Sequence, residues 1–193
     1  FLIGFISVEF MLIGYSFIFG DDVHGIIGSL NKIGLMGTEN SIMEGVNIPE
    51  MAFIAFQCMF AIITPAIMSG SITGRMRFAP FVVFAVIWSV LIYNPMAHWV
   101  WGGGWLARLG ALDFAGGLVI HILSGVSGLV LCILLGKRHG YGKAPMLPHH
   151  LPMVVLGASM LWFGWLGFNG GSALGANEFT VNAFMTQQVS AAG

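Results

Sequence analysis

Charged residues are scarce in this chain, and their scarcity argues against an ordinary soluble fold. Only 8% of the 193 residues are Asp, Glu, Lys or Arg, compared with roughly 25% in a typical soluble domain. The basic residues are scattered and the net charge is −1, so nucleic acid is not an expected partner, because such a partner requires clustered Lys and Arg. With 57% hydrophobic residues, the chain is predicted to be a polytopic membrane protein.

Cysteine and metal-ligand clusters are also nearly absent. Cys58 and Cys132 each lie inside an apolar run, which favours a packing role over a disulfide. His121 has no Cys, Asp, Glu or second His at helical ligand spacing, so neither a metal site nor another cofactor is expected. No nucleophile–base pair or nucleotide-binding glycine pattern occurs, and the chain is therefore not predicted to be an enzyme.

Long apolar runs dominate what is present. Windows of about 19 residues predict six helical crossings, two of them incomplete. The chain begins without Met in apolar sequence and stops inside another apolar segment, so we expect a fragment of a longer protein. The predicted spans are 1–19, 49–73, 78–97, 113–136, 151–168 and 179–193.

The basic residues predict the orientation of these spans. Five of the seven Lys and Arg residues lie in two loops, 74–77 and 137–150. Because positive residues concentrate on the cytoplasmic side of a membrane, these two loops are expected on the same side and in the cytoplasm. The acidic insert 20–48 and the connection 98–112 are then expected outside.

One histidine lies within an apolar segment long enough to cross a bilayer. His121 is the ninth residue of DFAGGLVIHILSGVSGLVLCILLG, residues 113–136, and an ionisable group at such a position is a functional-site hypothesis by default. Small residues around it would let another helix pack closely and hold the imidazole in a protein interior. Gly117, His121 and Gly125 recur every four positions, and Ser124 and Gly128 do the same beside them.

Tryptophans cluster at the predicted outer end of the third span. Trp99, Trp101 and Trp105 surround the run Gly102–Gly104, and an interfacial aromatic belt is one explanation. Three successive glycines also allow a closely approached backbone, so that one indole could face an outer vestibule and attract a cation. His98, at the end of the same span, is expected to reach water.

The fifth span ends in a glycine-rich break. Gly170, Gly171 and Gly175 are expected to interrupt the helix beside Ser172. A broken helix at membrane depth must be buried in protein or line a wet cavity, where Ser172 could bind a small polar solute. A connecting loop at the membrane surface explains the glycines equally well.

Two acidic residues lie in apolar sequence. Asp113 opens the fourth span, where N-capping is its expected role. Glu9 lies in the middle of the first span and must face a protein interior, a partner or water, or else stay protonated, because a lone charge in hydrocarbon is costly.

Four of these motifs together resemble the Amt/Mep/Rh ammonium transporters, and in particular the Amt/Mep branch. They are DFAGGLVIHILSG at 113–125, AHWVWGGGWL at 97–106, GWLGFNGGSAL at 164–174 and GYSFIFG at 14–20. The resemblance extends over nearly the whole chain. Glu9 has no counterpart among the roles that this resemblance implies.

The resemblance implies an outer site that recruits ammonium. Trp101 and Ser172 resemble its binding residues, and Phe60 contributes a further aromatic face. Asp113 resembles an acidic residue that shapes the site without contacting the solute. An aromatic face and a hydroxyl acceptor suit a small cation that donates four hydrogen bonds.

The resemblance also implies a pore behind that site. Phe60 and Phe168 resemble a stacked pair that closes the outer mouth, with Phe56 beside them. His121 resembles the first of two pore histidines. Ammonium would lose its proton near the phenylalanines, and neutral ammonia would then pass the histidines.

The implied fold is an all-α polytopic membrane bundle of eleven helices with two halves of inverted topology. Residues 1–193 would form a partial domain that runs from the second helix to the start of the seventh. The implied partners are ammonium or ammonia, methylammonium, the lipid bilayer, two further copies in a homotrimer and a cytoplasmic PII-type regulator. The implied location is the plasma membrane or a bacterial or archaeal inner membrane.

Transport of ammonium is the function that this resemblance favours. An ammonium sensor with an Amt-like membrane domain is an alternative, and a signalling domain after the membrane region would favour it. A Rh-type ammonia channel is a second alternative, against which Trp101 and Ser172 argue, since that pair is characteristic of the Amt/Mep branch.

Overall fold

The computed structural model describes residues 1–43 and 45–193, so that Glu44, in the acidic insert, lies outside the described residues. Helices occupy all six predicted spans, and five of them are long and apolar enough to cross a membrane. In chain order the six are α1 (Leu2–Phe19), α2 (Glu50–Ile72), α3 (78–101), α5 (Gly117–Leu135), α6 (Leu151–Gly171) and α7 (Glu178–Ala192). A short helix, α4 (Trp105–Arg108), lies in the connection between α3 and α5.

The chain folds as two compact units. The first comprises Phe1–Met43 and Pro49–His139, which include α1 to α5. The second comprises 45–48 and Gly140–Gly193, which include α6 and α7. The all-α membrane architecture predicted from hydropathy is confirmed.

Three helices of the first unit each contain one π-helical turn, at Phe10–Gly14 in α1, Ser89–Tyr93 in α3 and Gly117–Ile122 in α5. A π-turn closes i→i+5 hydrogen bonds, and such turns are frequent at functional sites. Hydropathy does not detect them, because they change the winding of a helix and not its composition. His121 lies within the π-turn of α5, and Glu9 contacts residues at both ends of the π-turn of α3.

Three predicted boundaries differ from the helix ends by three or four residues. The fifth span was expected to end near residue 168, but α6 continues through Gly171. The third span was expected to end at residue 97, but α3 continues through Trp101 and ends at Gly102. The fourth was expected to begin at residue 113, but α5 begins at Gly117. The polar residues at these helix ends lower the local hydropathy although their side chains are bound within the protein.

The core of the first unit forms around α2, which packs against α1 on one side and α5 on the other. Ser124 and Gly128 of α5 are buried, and a Cβ on Gly128 would lie only 3.5 Å from the side chain of Ser71. The predicted close approach of another helix is therefore confirmed on this stripe. The side chains that fill the core include Ile6, Phe10, Ile54, Cys58, Ala61, Met68, Ala85 and Val119.

The acidic insert is folded against the start of α2 and the C-terminal end of α3. It contains a two-stranded hairpin, β1 (Asp22–Val23) and β2 (Ile27–Gly28), followed by a 3-10 segment, Leu30–Leu35. It is held to α2 by Lys32, whose Nζ lies 2.5 Å from the carboxylate of Glu50. The same carboxylate accepts a 2.6 Å hydrogen bond from the hydroxyl of Tyr15.

The loop 74–77 and the first residues of the loop 137–150, up to His139, lie at the same end of the first unit. The guanidinium of Arg75 donates a 2.8 Å hydrogen bond to the carbonyl of Gly136, and the amide of His139 donates to the carbonyl of Gly74. Both contacts join the loop after α2 to the segment after α5.

The second unit is a helical hairpin of α6 and α7. Asn169 donates a 2.7 Å hydrogen bond to Gln187, and Trp162 donates a 3.1 Å bond to Gln188. Gly170 faces Thr180, because a Cβ there would lie 3.6 Å from the Thr180 carbonyl.

Candidate functional site

An aromatic cluster connects α2 to the C-terminal end of α3. Phe56 and Phe60 lie one turn apart on α2 with ring centroids 4.8 Å apart. The ring of Phe60 meets the indole of Trp101 at 5.4 Å and 84°, an edge-to-face contact. Such geometry places the positive edge of one ring against the negative face of the other. Phe60 is buried, whereas Trp101 keeps part of its indole accessible.

The indole nitrogen of Trp101 fixes the orientation of the ring. It donates a 2.8 Å hydrogen bond to the backbone carbonyl of Asp113. Two independent contacts, one with Phe60 and one with Asp113, thus hold this tryptophan. That this indole faces an outer vestibule and attracts a cation stays a prediction.

Asp113 acts as a helix cap, as predicted. Its two carboxylate oxygens accept hydrogen bonds of 2.6–2.9 Å from the amides of the four residues 116–119. These amides lack intrahelical partners at the start of α5, and a negative charge there is favoured by the helix dipole. Gly116 makes the turn possible, since its φ is +92° and a Cβ would lie 2.3 Å from Ile120.

The glycine run after Trp101 is required by close packing. A Cβ on Gly102 would lie 2.0 Å from the carbonyl oxygen of Ile18, and one on Gly104 would lie 2.6 Å from the Cα of Trp99. Trp99 and Trp105 pair with each other at 5.6 Å, away from the Phe60–Trp101 contact. The predicted closely approached backbone is confirmed.

His98 is fully buried, and the expectation that it reaches water is wrong. Its Nδ1 lies 2.7 Å from the carbonyl oxygen of Ile18, and its Nε2 lies 2.9 Å from Asp22. The other oxygen of Asp22 pairs with Arg108 at 2.5 Å. The hydrogen bond from His98, together with Arg108, holds the pKa of the Asp22 carboxyl below its usual value.

His121 lies in the π-turn of α5 and is exposed together with Gly117 and Gly125. Its neighbours on the other stripe, Ser124 and Gly128, are the ones that pack against α2. Burial of the imidazole in a protein interior is therefore not seen. The turn at Gly117–Ile122 instead presents His121 on the accessible side of α5.

Ser172 and Phe168 belong to the second unit. The helix α6 extends through Gly171, so Gly170 and Gly171 are helical and the interruption begins at Ser172. The expected break was therefore placed two residues too early. The hydroxyl of Ser172 donates a 2.8 Å hydrogen bond to the carbonyl of Phe168, so its oxygen remains an acceptor.

The amino-acid sequence is similar to those of known ammonium transporters. The family model described as the Ammonium Transporter Family matches residues 1–193. The chain is 46% identical to the ammonium transporter Amt1 of Archaeoglobus fulgidus over 93% of its own length and 44% of that protein. It is 48% identical to an ammonium transporter of Bacillus subtilis over 98% of its length and 46% of that protein. The chain thus spans less than half the length of these relatives.

Solved structures show the same similarity. The crystal structure of Saccharomyces cerevisiae Mep2 superposes with a TM-score of 0.84 and 37% identity, covering 96% of this chain and 42% of that one. A structure described as a Sensor Amt Protein superposes with a TM-score of 0.81 and 31% identity, covering 92% of this chain and 45% of that one.

Proposed function

Because the chain belongs to the Ammonium Transporter Family, a family of transporters and not of enzymes, we propose that the protein conducts ammonium or ammonia across a membrane. Ammonium is first recruited at an outer aromatic site. The observation that carries this proposal is the indole of Trp101, held by its edge-to-face contact with Phe60 and by its hydrogen bond to the Asp113 carbonyl. A fixed, partly accessible indole is a surface that attracts a cation.

The recruiting residues in this proposal are Trp101, Phe60 and Ser172. The aromatic faces offer cation–π attraction, worth about 0.5–2 kcal/mol depending on desolvation. The Ser172 oxygen offers an acceptor, since its own proton is donated to Phe168. Asp113 shapes the site through its backbone carbonyl and its capped helix start, with no direct contact to the solute.

Behind the recruiting site, we assign the gate to Phe60 and Phe168, with Phe56 beside them. Ammonium gives up its proton at this point, and ammonia continues past His121. A neutral imidazole has one nitrogen that donates and one that accepts a hydrogen bond, which suits both ammonia and a relayed proton. Potassium has no proton to give and is excluded for that reason.

The complete protein is proposed to be a homotrimer in a plasma membrane or a bacterial or archaeal inner membrane. The loops 74–77 and 137–150 would face the cytoplasm, where a PII-type regulator could bind. The shared end of the two basic loops supports this orientation. The opposite end carries the acidic insert and Trp101.

Sensing is a second candidate function, because one similar structure is described as a sensor. A sensor needs the recruiting site but does not need conduction. Binding without uptake would therefore favour it.

Uptake of labelled methylammonium by the complete protein, expressed in cells that lack their own transporters, tests the proposal. The variant Trp101→Leu is expected to raise KM by about tenfold, the factor that corresponds to a loss of about 1.4 kcal/mol of cation binding. Trp105→Leu is the matched control, since Trp105 is 43% exposed and pairs with Trp99. Equal KM values for both variants, or no uptake by the unmodified protein, would contradict the proposal.

A further inference from the structure

Glu9 is a carboxylate in the middle of a membrane helix without a counter-charge. It is 7% exposed and lies at the edge of an apolar cavity of about 810 Å³. Its hydrogen-bond partners are the hydroxyl of Ser89 at 3.0 Å and the amide nitrogen of Asn94 at 2.8 Å. Both partners are neutral, and no cationic side chain in residues 1–43 and 45–193 pairs with it.

The π-turn of α3 brings these partners together. Ser89 is its first residue and Asn94 directly follows its last, Tyr93. Five residues apart, they face the same side because a π-turn closes i→i+5. The carboxyl of Glu9 on α1 thus bridges both ends of this turn.

Gly14 of α1 allows the carboxyl and the amide to meet. A Cβ at Gly14 would lie 3.2 Å from Oε1 of Glu9 and 3.3 Å from both Nδ2 and Oδ1 of Asn94. Both the nitrogen and the oxygen of the Asn94 amide therefore lie close to Gly14, as does the carboxyl of Glu9. The Asn94 side of this contact is fully buried, since Asn94 is 0% exposed.

One atom of this contact has no partner. Oδ1 of Asn94 is buried and receives no hydrogen bond. A buried acceptor left without a donor costs about 1–3 kcal/mol. The arrangement therefore contains a negative charge without a cation and, beside it, an acceptor without a donor.

We propose that Glu9 is a proton-binding site, in which a carboxylic acid O–H donates to Oδ1 of Asn94 while the other carboxyl oxygen accepts from Nδ2. The pair then forms an acid–amide ring with Ser89 as a third partner. A single proton, taken from water and returned to it, cancels the buried charge and supplies the missing donor. No bond other than the O–H bond is made or broken. The inference is independent of ammonium transport.

Other titratable groups near this part of the bundle have partners of their own or are weak acids. On α2, the thiol of Cys58 contacts Ser7 at 3.8 Å. The Tyr93 hydroxyl on α3 is buried and has no hydrogen-bond partner. The remaining ionisable groups on the elements packed against α1 lie at its outer end, in the pairs Tyr15–Glu50, Lys32–Glu50 and His98–Asp22.

Infrared difference spectroscopy of the complete protein in lipid tests the proposal directly. At pH 7 the unmodified protein is expected to show a protonated carboxyl C=O band that shifts in D₂O and is absent from Glu9→Gln. An ordinary glutamic acid, with a pKa of about 4.3, would be ionised at that pH. Asp21→Asn, at an exposed acidic residue, is the matched control and should leave the band unchanged.

The variant Glu9→Gln should also fold normally, because a glutamine amide is neutral, donates to Oδ1 and accepts from Nδ2. If it does not fold, Asn94→Ala gives a second readout, in which the band remains but moves to the higher frequency of a weaker hydrogen bond. The proposal is overturned if Glu9→Gln removes a carboxylate band instead. A carboxylate band that responds to added Na⁺ or K⁺ would overturn it in favour of a metal cation.

Discussion

The imidazole of His98 lies between two oxygens that can only accept hydrogen bonds, one of them the carboxylate of Asp22 at 2.9 Å. The other is the carbonyl of Ile18 at 2.7 Å. Each ring nitrogen of His98 thus has an oxygen at hydrogen-bond distance. The contact of His98 with Ile18 joins the end of α1 to the end of α3. His98 lies three residues before Trp101 and four before Gly102.

The Asp22 pair predicts a loss of stability at acid pH. The pKa of Asp22 is lowered in the folded protein by His98 and Arg108, so the folded state favours the ionised carboxyl. Its contribution is complete well above the unfolded value of about 3.9 and is lost as pH falls through the lower folded value. Asp22→Asn should lower Tm at pH 7, and its difference from the unmodified protein should shrink as pH falls below 4.

Thermal unfolding of the detergent-solubilised protein at a series of pH values measures this effect. Asp21→Asn is the control, because Asp21 is an exposed neighbour outside the pair. Parallel Tm curves for Asp22→Asn and the unmodified protein over the whole range would show that the pair contributes nothing that depends on protonation.

Removal of the His121 imidazole should alter conduction. Loss of one hydrogen-bonding group worth about 1.4 kcal/mol changes a rate by about tenfold, so His121→Ala is expected to slow methylammonium uptake by that factor or to admit potassium. Uptake and current recordings in the complete protein measure both effects. His139→Ala, in an exposed loop, should leave them unchanged, and indistinguishable results for the two variants would exclude a pore role for His121.

Substitution of Gly102 should destabilise the outer end of α3. An alanine Cβ would approach the Ile18 carbonyl to 2.0 Å and Nδ1 of His98 to 2.5 Å. Overpacking of this kind costs about 1–3 kcal/mol, and Tm should fall accordingly. Gly4→Ala is the matched control, since no atom lies within 4 Å of a Cβ there. Equal Tm values for both variants would argue that the backbone at Gly102 relaxes freely.

Loss of the Asp113 carboxylate should weaken both the start of α5 and the recruiting site. Asp113→Ala leaves four amides without their acceptor, and loss of a cap costs about 0.5–2 kcal/mol. Because the Asp113 carbonyl holds the indole of Trp101, KM for methylammonium should rise as Tm falls. Asp113→Asn keeps one oxygen and should be intermediate in both measurements. A lower Tm with unchanged KM would separate the cap from the recruiting site.

The spans could be predicted from the sequence because hydropathy depends on composition alone. Their ends could not, since residues such as Asn94 and His98 are polar yet buried. Their partners come from a distant helix and from the insert, 85 and 76 positions away in sequence respectively. Nothing in the local pattern around His98 distinguishes a side chain that reaches water from one that meets Asp22.

The aromatic contact of Trp101 was only partly predictable. The glycine run indicated close approach of the backbone, and the structure confirms it at Gly102 and Gly104. Which of the two indoles on α3, Trp99 or Trp101, contacts Phe60 depends on the phase of that helix. That phase is altered by the π-turn at Ser89–Tyr93, which has no signature in the sequence.

That π-turn also determines how α3 responds to changes in chain length. A π-turn accommodates one more residue than an α-turn, and one residue corresponds to about 100° of rotation around an α-helix. Deleting a residue within Ser89–Tyr93 could convert the turn to ordinary α-helix while leaving the axis nearly straight. Asn94 would then be the fourth residue after Ser89 and would still lie on the same face, because residues i and i+4 share a face of an α-helix. If the full sequence were instead wound as uninterrupted α-helix, every side chain beyond Tyr93 would be turned by about 100°. The π-turn therefore determines which of those side chains face the neighbours of α3.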